Sequence, residues 1–205
     1  MTSMQSPPLM TVDAVSTPSE LRIKGSRFIG QVFHIETRQE FEQLYRQARK
    51  MHARATHCCY AYRLSASLFH YYDDGEPNGT AGKPIFHVLD EQNLYEVLLI
   101  VVRYFGGTKL GRNGLVRAYS QSAQQALLQG GIIPKVFYRV FVMQLSYELV
   151  QDLVYLVKKN NGLIDQTDYQ ERVKIQARIA QDHIATFTAE LNILAGKGSL
   201  IYELQ

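Results

Sequence analysis

Residues 97–119, VLLIVVRYFGGTKLGRNGLVRAY, decide how this chain folds. They open with six apolar residues, Val97 to Val102, three of them valine and one isoleucine. So short and unbroken a run predicts a strand covered on both faces, because a strand with one wet face would alternate. Arg103, Tyr104 and Phe105 follow, then Gly106-Gly107, a pair that stops the strand and lets the backbone enter positive φ. Beyond Gly111 and Gly114, the positions Leu115, Tyr119, Ser122 and Ala126 recur at helical spacing. The unit is therefore buried strand, glycine-rich loop, helix. Arg103, Lys109, Arg112 and Arg117 stand within 101–119 without a single acid. Bare amides at a helix start, here those of Gly106, Gly107, Gly111 and Gly114, form with neighbouring cations a place for an anion. The alternative is that the glycines only permit a tight turn and the cations are solubility charges.

Upstream lies Asp73-Asp74-Gly75-Glu76-Pro77-Asn78-Gly79-Thr80-Ala81-Gly82-Lys83-Pro84. Three glycines and two prolines in twelve residues exclude a helix or a central strand. The carboxylates Asp73, Asp74 and Glu76 could bind Mg²⁺ or act as acid and base; Asp and Asn are also ordinary turn formers. Gly79 to Lys83 faintly resembles a phosphate-cradling loop, but Pro84 stands where that pattern needs Ser or Thr. A short helix is expected from Pro84 to Glu91, with His87 on its surface.

Further toward the N-terminus, Lys24-Gly25-Ser26-Arg27-Phe28 opens the ordered part, with a strand over about 27–35. Lys24 and Arg27 are candidates to face a ligand, or solvated edge charges. Thr37 and Glu40 form a capping box ahead of a helix with Phe41, Leu44, Tyr45, Ala48 and Met51 on its apolar face. Its basic residues suit the last turns of the helix dipole and a solvated face. Residues 56–64 and 69–72 read as paired strands. His57, Cys58 and Cys59 invite a metal reading, but a structural zinc site needs about four ligands and no second Cys or His cluster follows. No metal and no cofactor is expected, and His57 is kept as a possible base.

The chain has 205 residues, 46% apolar and 20% charged, with a net charge of +3, which suits one large or two small globular domains. Mild basicity permits nucleic-acid contact without requiring it. No apolar run reaches the roughly 18 residues that would span a bilayer. Residues 1–19 hold three of the six prolines and no signal-peptide pattern, and are read as a loose tail. Adjacent Cys58 and Cys59 would point to opposite faces of a strand, which leads to the expectation of a reducing, cytoplasmic setting.

DDGEPNGTAGKP (73–84) and VVRYFGGTKLGRNGLVRAY (101–119), with KGSRF (24–28) and ATHCCYAYR (55–63), resemble the signature of the IMPACT family in its bacterial YigZ-type form. One departure is Asn113, where the family loop usually has the first of two glycines before Leu115; Asn tolerates the left-handed region best after Gly. The resemblance implies a first domain, residues 20–132, with a fold shared by a small-subunit ribosomal protein domain and the fourth domain of elongation factor G. It also implies a role around translation or nucleic acid. Eukaryotic members carry a preceding RWD domain that binds a partner governing a stress-response kinase. Nothing before KGSRF resembles it, so that partner is not carried over.

Residues 132–135 read as a linker, and 136–205 as a second domain. A strand (137–145), a helix after Ser146, two strands (163–169 and 171–180), a helix capped by Asp182 and a last strand (199–204) give β-α-β-β-α-β, a ferredoxin-like order. The class is thus α+β with two domains. The YigZ-type resemblance implies the same for the second, a relative of the fifth domain of elongation factor G. The wet face of the strand at 173–179 carries Arg172, Lys174 and Arg178 but no aromatic, unlike an RNA-recognition sheet, and reads as solvated.

Two functions are carried forward. One is a non-catalytic binder of RNA or the ribosome that regulates translation. Lys24, Arg27, Arg103, Lys109, Arg112 and Arg117 would meet phosphates, and Tyr104 and Phe105 would stack on bases. The other is an enzyme on a phosphorylated or nucleotide-like substrate, using Asp73, Asp74, Glu76 and His57, with Lys83 or Lys109 on phosphate. It requires the acidic loop to meet the glycine loop. A protein-interaction module without chemistry is the third possibility.

Overall fold

The computed structural model describes residues 9–13 and 15–204, and the chain divides into two compact units at Lys135/Val136. In the first unit, β1 (Met10–Val12), β2 (Ser19–Ile23) and β3 (Ser26–His34) lead to α1 (Arg38–Met51). Next come β4 (His57–Arg63), β5 (Phe69–Tyr72), α2 (Gly82–Glu91), β6 (Val97–Tyr104), α3 (Gly111–Gly130) and β7 (Ile132–Pro134). An antiparallel sheet runs in the order β2-β3-β6-β4-β5, which places β6 at its centre. That position explains the unbroken apolar run. Val97, Leu99 and Val101 pack with Leu115, Ala118 and Tyr119 of α3 and Ile85 and Leu89 of α2. Leu98, Ile100 and Val102 pack on the other face with Phe41 of α1 and Tyr60 and Tyr62 of β4. Cys58 and Cys59 fall into these two opposite cores as free thiols. Burial, with Asp74 nearby, pushes the Cys58 thiol up to about 12, so it stays protonated near neutrality.

Thr37 and Glu40 form the expected reciprocal cap of α1. Met51 departs from the expected apolar face: it is 76% exposed at the last turn, past the edge of the core. The tail reading needs correction where the chain is described. β1 pairs with β7, Val12 is buried, and the Ser16 hydroxyl accepts from the Val32 amide at 2.9 Å. Residues 132–134 are accordingly a strand rather than a linker, and the rest of the tail, 1–8 and 14, lies outside the described residues. β2 extends the sheet one strand further than expected. It joins β3 through Lys24 and Gly25, both at positive φ (46° and 81°), the conformation a two-residue hairpin turn requires.

The second unit contains β8 (Tyr138–Leu145), α4 (Val150–Lys159), β9 (Leu163–Tyr169), β10 (Val173–Ala180), α5 (Ile184–Ala195) and β11 (Leu200–Leu204). Its antiparallel order β11-β8-β10-β9 is that of a ferredoxin-like sheet. Phe141, Met143, Ile175 and Ile179 pack against Leu153, Phe187 and Leu191. Ser146 precedes a short 3₁₀ turn and Asp182 lies inside another (Gln181–His183), so neither caps its helix with its side chain. On the wet face, Arg178 is paired with Asp165 at 2.8 Å, which removes one of the three cations.

Candidate anion-binding site

β6 delivers Arg103 into the interior while its chain is still a strand. The residue is 4% exposed, and its Nη1 donates to Glu76 Oε1 at 2.6 Å. Nη2 lies 3.3 Å from the Ser26 hydroxyl, and the guanidinium sits over the rings of Phe28 and Phe105. Tyr119 of α3 donates to the same Glu76 oxygen at 2.8 Å, and burial holds its phenol far above the ordinary range. Arg103 is therefore a buried structural cation. The reading of it as a phosphate contact is corrected by its burial, since a guanidinium paired under the sheet cannot reach a backbone phosphate.

The acidic loop and the glycine loop do meet. Glu76 bonds Arg103 at the end of β6, and Arg112 Nη2 donates to the Asn78 carbonyl at 2.8 Å. The three acids, however, are engaged locally. Asp73 Oδ1 accepts from the amides of Ala81 and Gly82 at 2.9 and 2.8 Å, and Oδ2 from the Gly79 amide at 2.9 Å. The loop that faintly resembles a phosphate cradle thus cradles a carboxylate of its own chain, at the start of α2. Lys83 is exposed. Asp74 takes the left-handed conformation (φ 42°), and its Oδ2 accepts from the Cys58 amide at 2.7 Å and Arg49 Nη1 at 2.6 Å. His57 Nδ1 lies 2.8 Å from the Asp74 carbonyl, so this nitrogen carries the proton, and Nε2 stands 3.7 Å from Glu76 Oε1. Among the described residues no three His, Cys, Asp or Glu side chains converge as metal ligands would.

The start of α3 is different. Leu110 occupies the N-cap position without a side-chain cap, and the first turn holds no acid. Its amides therefore lack the carboxylate that closes α2. Gly107 and Gly111 adopt φ of 85° and 71° with open space where a Cβ would stand. Gly106 is held tightly instead: a Cβ there would fall 1.8 Å from the Gly25 carbonyl carbon, and its amide donates to the Ser26 hydroxyl at 3.2 Å. The β2–β3 turn is thereby locked against the glycine loop, which brings Lys24 beside it. Lys109 and Arg112 are exposed on the loop and first turn. Arg117 is exposed about 9 Å further along the axis. Arg27 lies to the side, over the Tyr104 ring at 4.8 Å. Asn113 is helical, so the left-handed conformation expected of it is not needed. Sequence reasoning missed Ser26, Tyr119 and Thr56, whose hydroxyl accepts from the Phe105 amide at 2.9 Å. The signal for Tyr119 was its place on the apolar stripe of α3, where a buried hydroxyl needs a partner.

The Impact N-terminal domain family matches residues 24–127, which takes in every residue of this site. The chain belongs to the IMPACT family. A second match, to a domain of unknown function (DUF1949), covers residues 143–196 in the ferredoxin-like unit. IMPACT family member YvyE of Bacillus subtilis (strain 168) is 31% identical over 186 residues, 90% of this chain and 86% of that protein. IMPACT family member YigZ of Escherichia coli (strain K12) is 34% identical over 173 residues, 82% of this chain and 85% of that protein. A crystal structure of a hypothetical protein, 31% identical, covers 95% of each chain with a TM-score of 0.67. β6, the glycine loop and all but the last three residues of α3 in this IMPACT-family chain thus lie inside its family domain, and no helix among the described residues is long and apolar enough to cross a membrane.

Proposed function

We propose that this protein is a non-catalytic binder of RNA or of the ribosome, with a role in regulating translation. The observation that carries this reading is the contrast between two helix starts in one domain. The start of α2 is closed by Asp73, while the start of α3 is uncapped, free of acids and flanked by exposed Lys24, Lys109 and Arg112. Such a start suits a phosphate, because its amides and the helix dipole favour negative charge. The translational setting comes from the family resemblance. The enzyme reading is weaker because Asp73, Asp74 and Glu76 are each tied to backbone amides, to Arg49 or to Arg103. The second nitrogen of His57 faces Glu76 Oε1 at 3.7 Å, and that oxygen is already taken up by Arg103. Co-sedimentation with ribosomes across a salt series tests the proposal. The protein should pellet with ribosomes at low salt and be released as salt rises, and Lys109→Ala should move release to lower salt. A protein that stays in the supernatant at low salt overturns it.

A further inference from the structure

An open cleft of about 470 Å³ lies between the β2–β3 hairpin and the end of α1, lined by Arg22, Arg27, Met51, Ala53, Arg54 and Tyr104. Its charge is not balanced. Glu20 is the carboxylate near these arginines, 2.8 Å from Arg22 Nε and 3.6 Å from Arg27 Nε. The second distance is beyond hydrogen-bond reach, and Arg27 Nε is buried without a hydrogen-bond partner. Arg54 has neither a hydrogen bond nor an ion pair among the described residues. It lies past the end of α1, where the helix-dipole explanation that serves Arg49 and Lys50 fades. Three guanidinium groups against one carboxylate leave two positive charges facing a cavity large enough for a small ligand. The wall also holds a flat aromatic, Tyr104, one face of which is covered by the Arg27 guanidinium at 4.8 Å so that only the other can receive a base, and the apolar end of Met51. Planar guanidinium forks match phosphate oxygens, and aromatic faces accept bases of any sequence.

We propose that this cleft holds one nucleotide of a single-stranded RNA, its phosphate between Arg22 and Arg54 and its base against Tyr104 and Met51. The inference rests on the RNA-binding reading above and narrows it from RNA in general to an unpaired strand. A duplex keeps its bases stacked inside and cannot offer one to Tyr104. Continuity with the glycine loop supports the assignment. Tyr104 is followed directly by Phe105, which is 47% exposed, and by the Gly106-Gly107 pair. At most about 11 Å of chain separates Tyr104 from Gly107. The start of α3 and the cleft lie toward opposite faces of the sheet, so a strand that used both would have to pass over the exposed Phe105 at the end of β6. His52, 2.9 Å from the Tyr104 hydroxyl, is held below the ordinary imidazole range by burial and by the charge of Arg27, a local sign of the same positive field.

The test is fluorescence anisotropy of the full chain with a labelled single-stranded oligoribonucleotide, with its duplex, and with AMP as competitor. Arg22 and Arg54 are exposed, so Arg22→Ala and Arg54→Ala should leave the fold intact. Each is expected to weaken single-strand binding several-fold and lower its salt slope by about 0.7, with duplex binding unchanged. Lys109→Ala should weaken both. If Lys109→Ala weakens binding while Arg22→Ala and Arg54→Ala do not, the cleft proposal fails and the α3 reading stands. If neither RNA form binds, both fail. If AMP binds in an Arg54-dependent way while the strand does not, the cleft is a free-nucleotide site and the strand proposal is overturned.

Discussion

Arg103 and Glu76 meet at 2.6 Å with both side chains nearly sealed from solvent, one at the end of the central strand and the other in the acidic loop. This pair, with Tyr119 and Ser26, fixes the floor beneath the glycine loop. Removing one partner of such a pair leaves an uncompensated buried charge and costs about 3–5 kcal/mol. Arg103→Ala and Glu76→Ala should each lose about that much stability in urea unfolding. The double replacement should lose clearly less than the sum, since the two residues share one interaction. Single variants with unchanged midpoints would show that the pair is not formed.

Gly106 and Gly107 are neighbours with different constraints. A side chain at Gly106 would run into the backbone of Gly25, whereas one at Gly107 would meet open space but a left-handed backbone. Gly107→Ala should therefore cost about 1–2 kcal/mol, the penalty of an L-residue in that conformation. Gly106→Ala should cost more, because the hairpin turn and the loop must separate. Thermal unfolding of the two variants ranks them, and a less stable Gly107→Ala would reverse the assignment.

His52 gives a pH dependence with a definite sign. Its folded value lies below the unfolded one, through burial first and Arg27 second. Between the two values the unfolded chain binds more protons, so this contribution is fully present above about pH 6.5 and is lost as pH falls through that window. His52→Gln should flatten the loss of stability between pH 7 and 5 relative to the unmodified protein, read from denaturant midpoints. An unchanged pH profile would count against the environment described.

The central unit was legible because β6 is apolar on both faces and α3 keeps a helical stripe, and those patterns survive without tertiary information. The ferredoxin-like half was legible for a similar reason: β10 alternates, with Val173, Ile175, Ala177 and Ile179 in the core and the terminal Ala180 also buried. β1 is three residues long and β2 reads Ser-Glu-Leu-Arg-Ile, and neither carries enough apolar signal to stand out from a tail. The roles of the charges were the least legible. Arg103 looked like the first cation of a loop, but it lies within the buried strand, and that place alone demanded an acid. Asp73, Asp74 and Glu76 looked like one cluster of ligands, yet each turns to a different partner. Nothing local in the sequence distinguishes a carboxylate that closes a helix start from one that would bind a metal. The arginine cleft joins a hairpin to the end of a helix about thirty residues away, so no single stretch could announce it.

The claim that matters most is that exposed cations at the start of α3 grip phosphate. The most direct measurement is the slope of log K against log salt for single-stranded RNA, compared between the unmodified protein and the Lys109→Ala/Arg112→Ala variant. Two lost phosphate contacts should lower the slope by about 1.4, with the fold intact by circular dichroism. An unchanged slope, or no binding at low salt, would contradict the account.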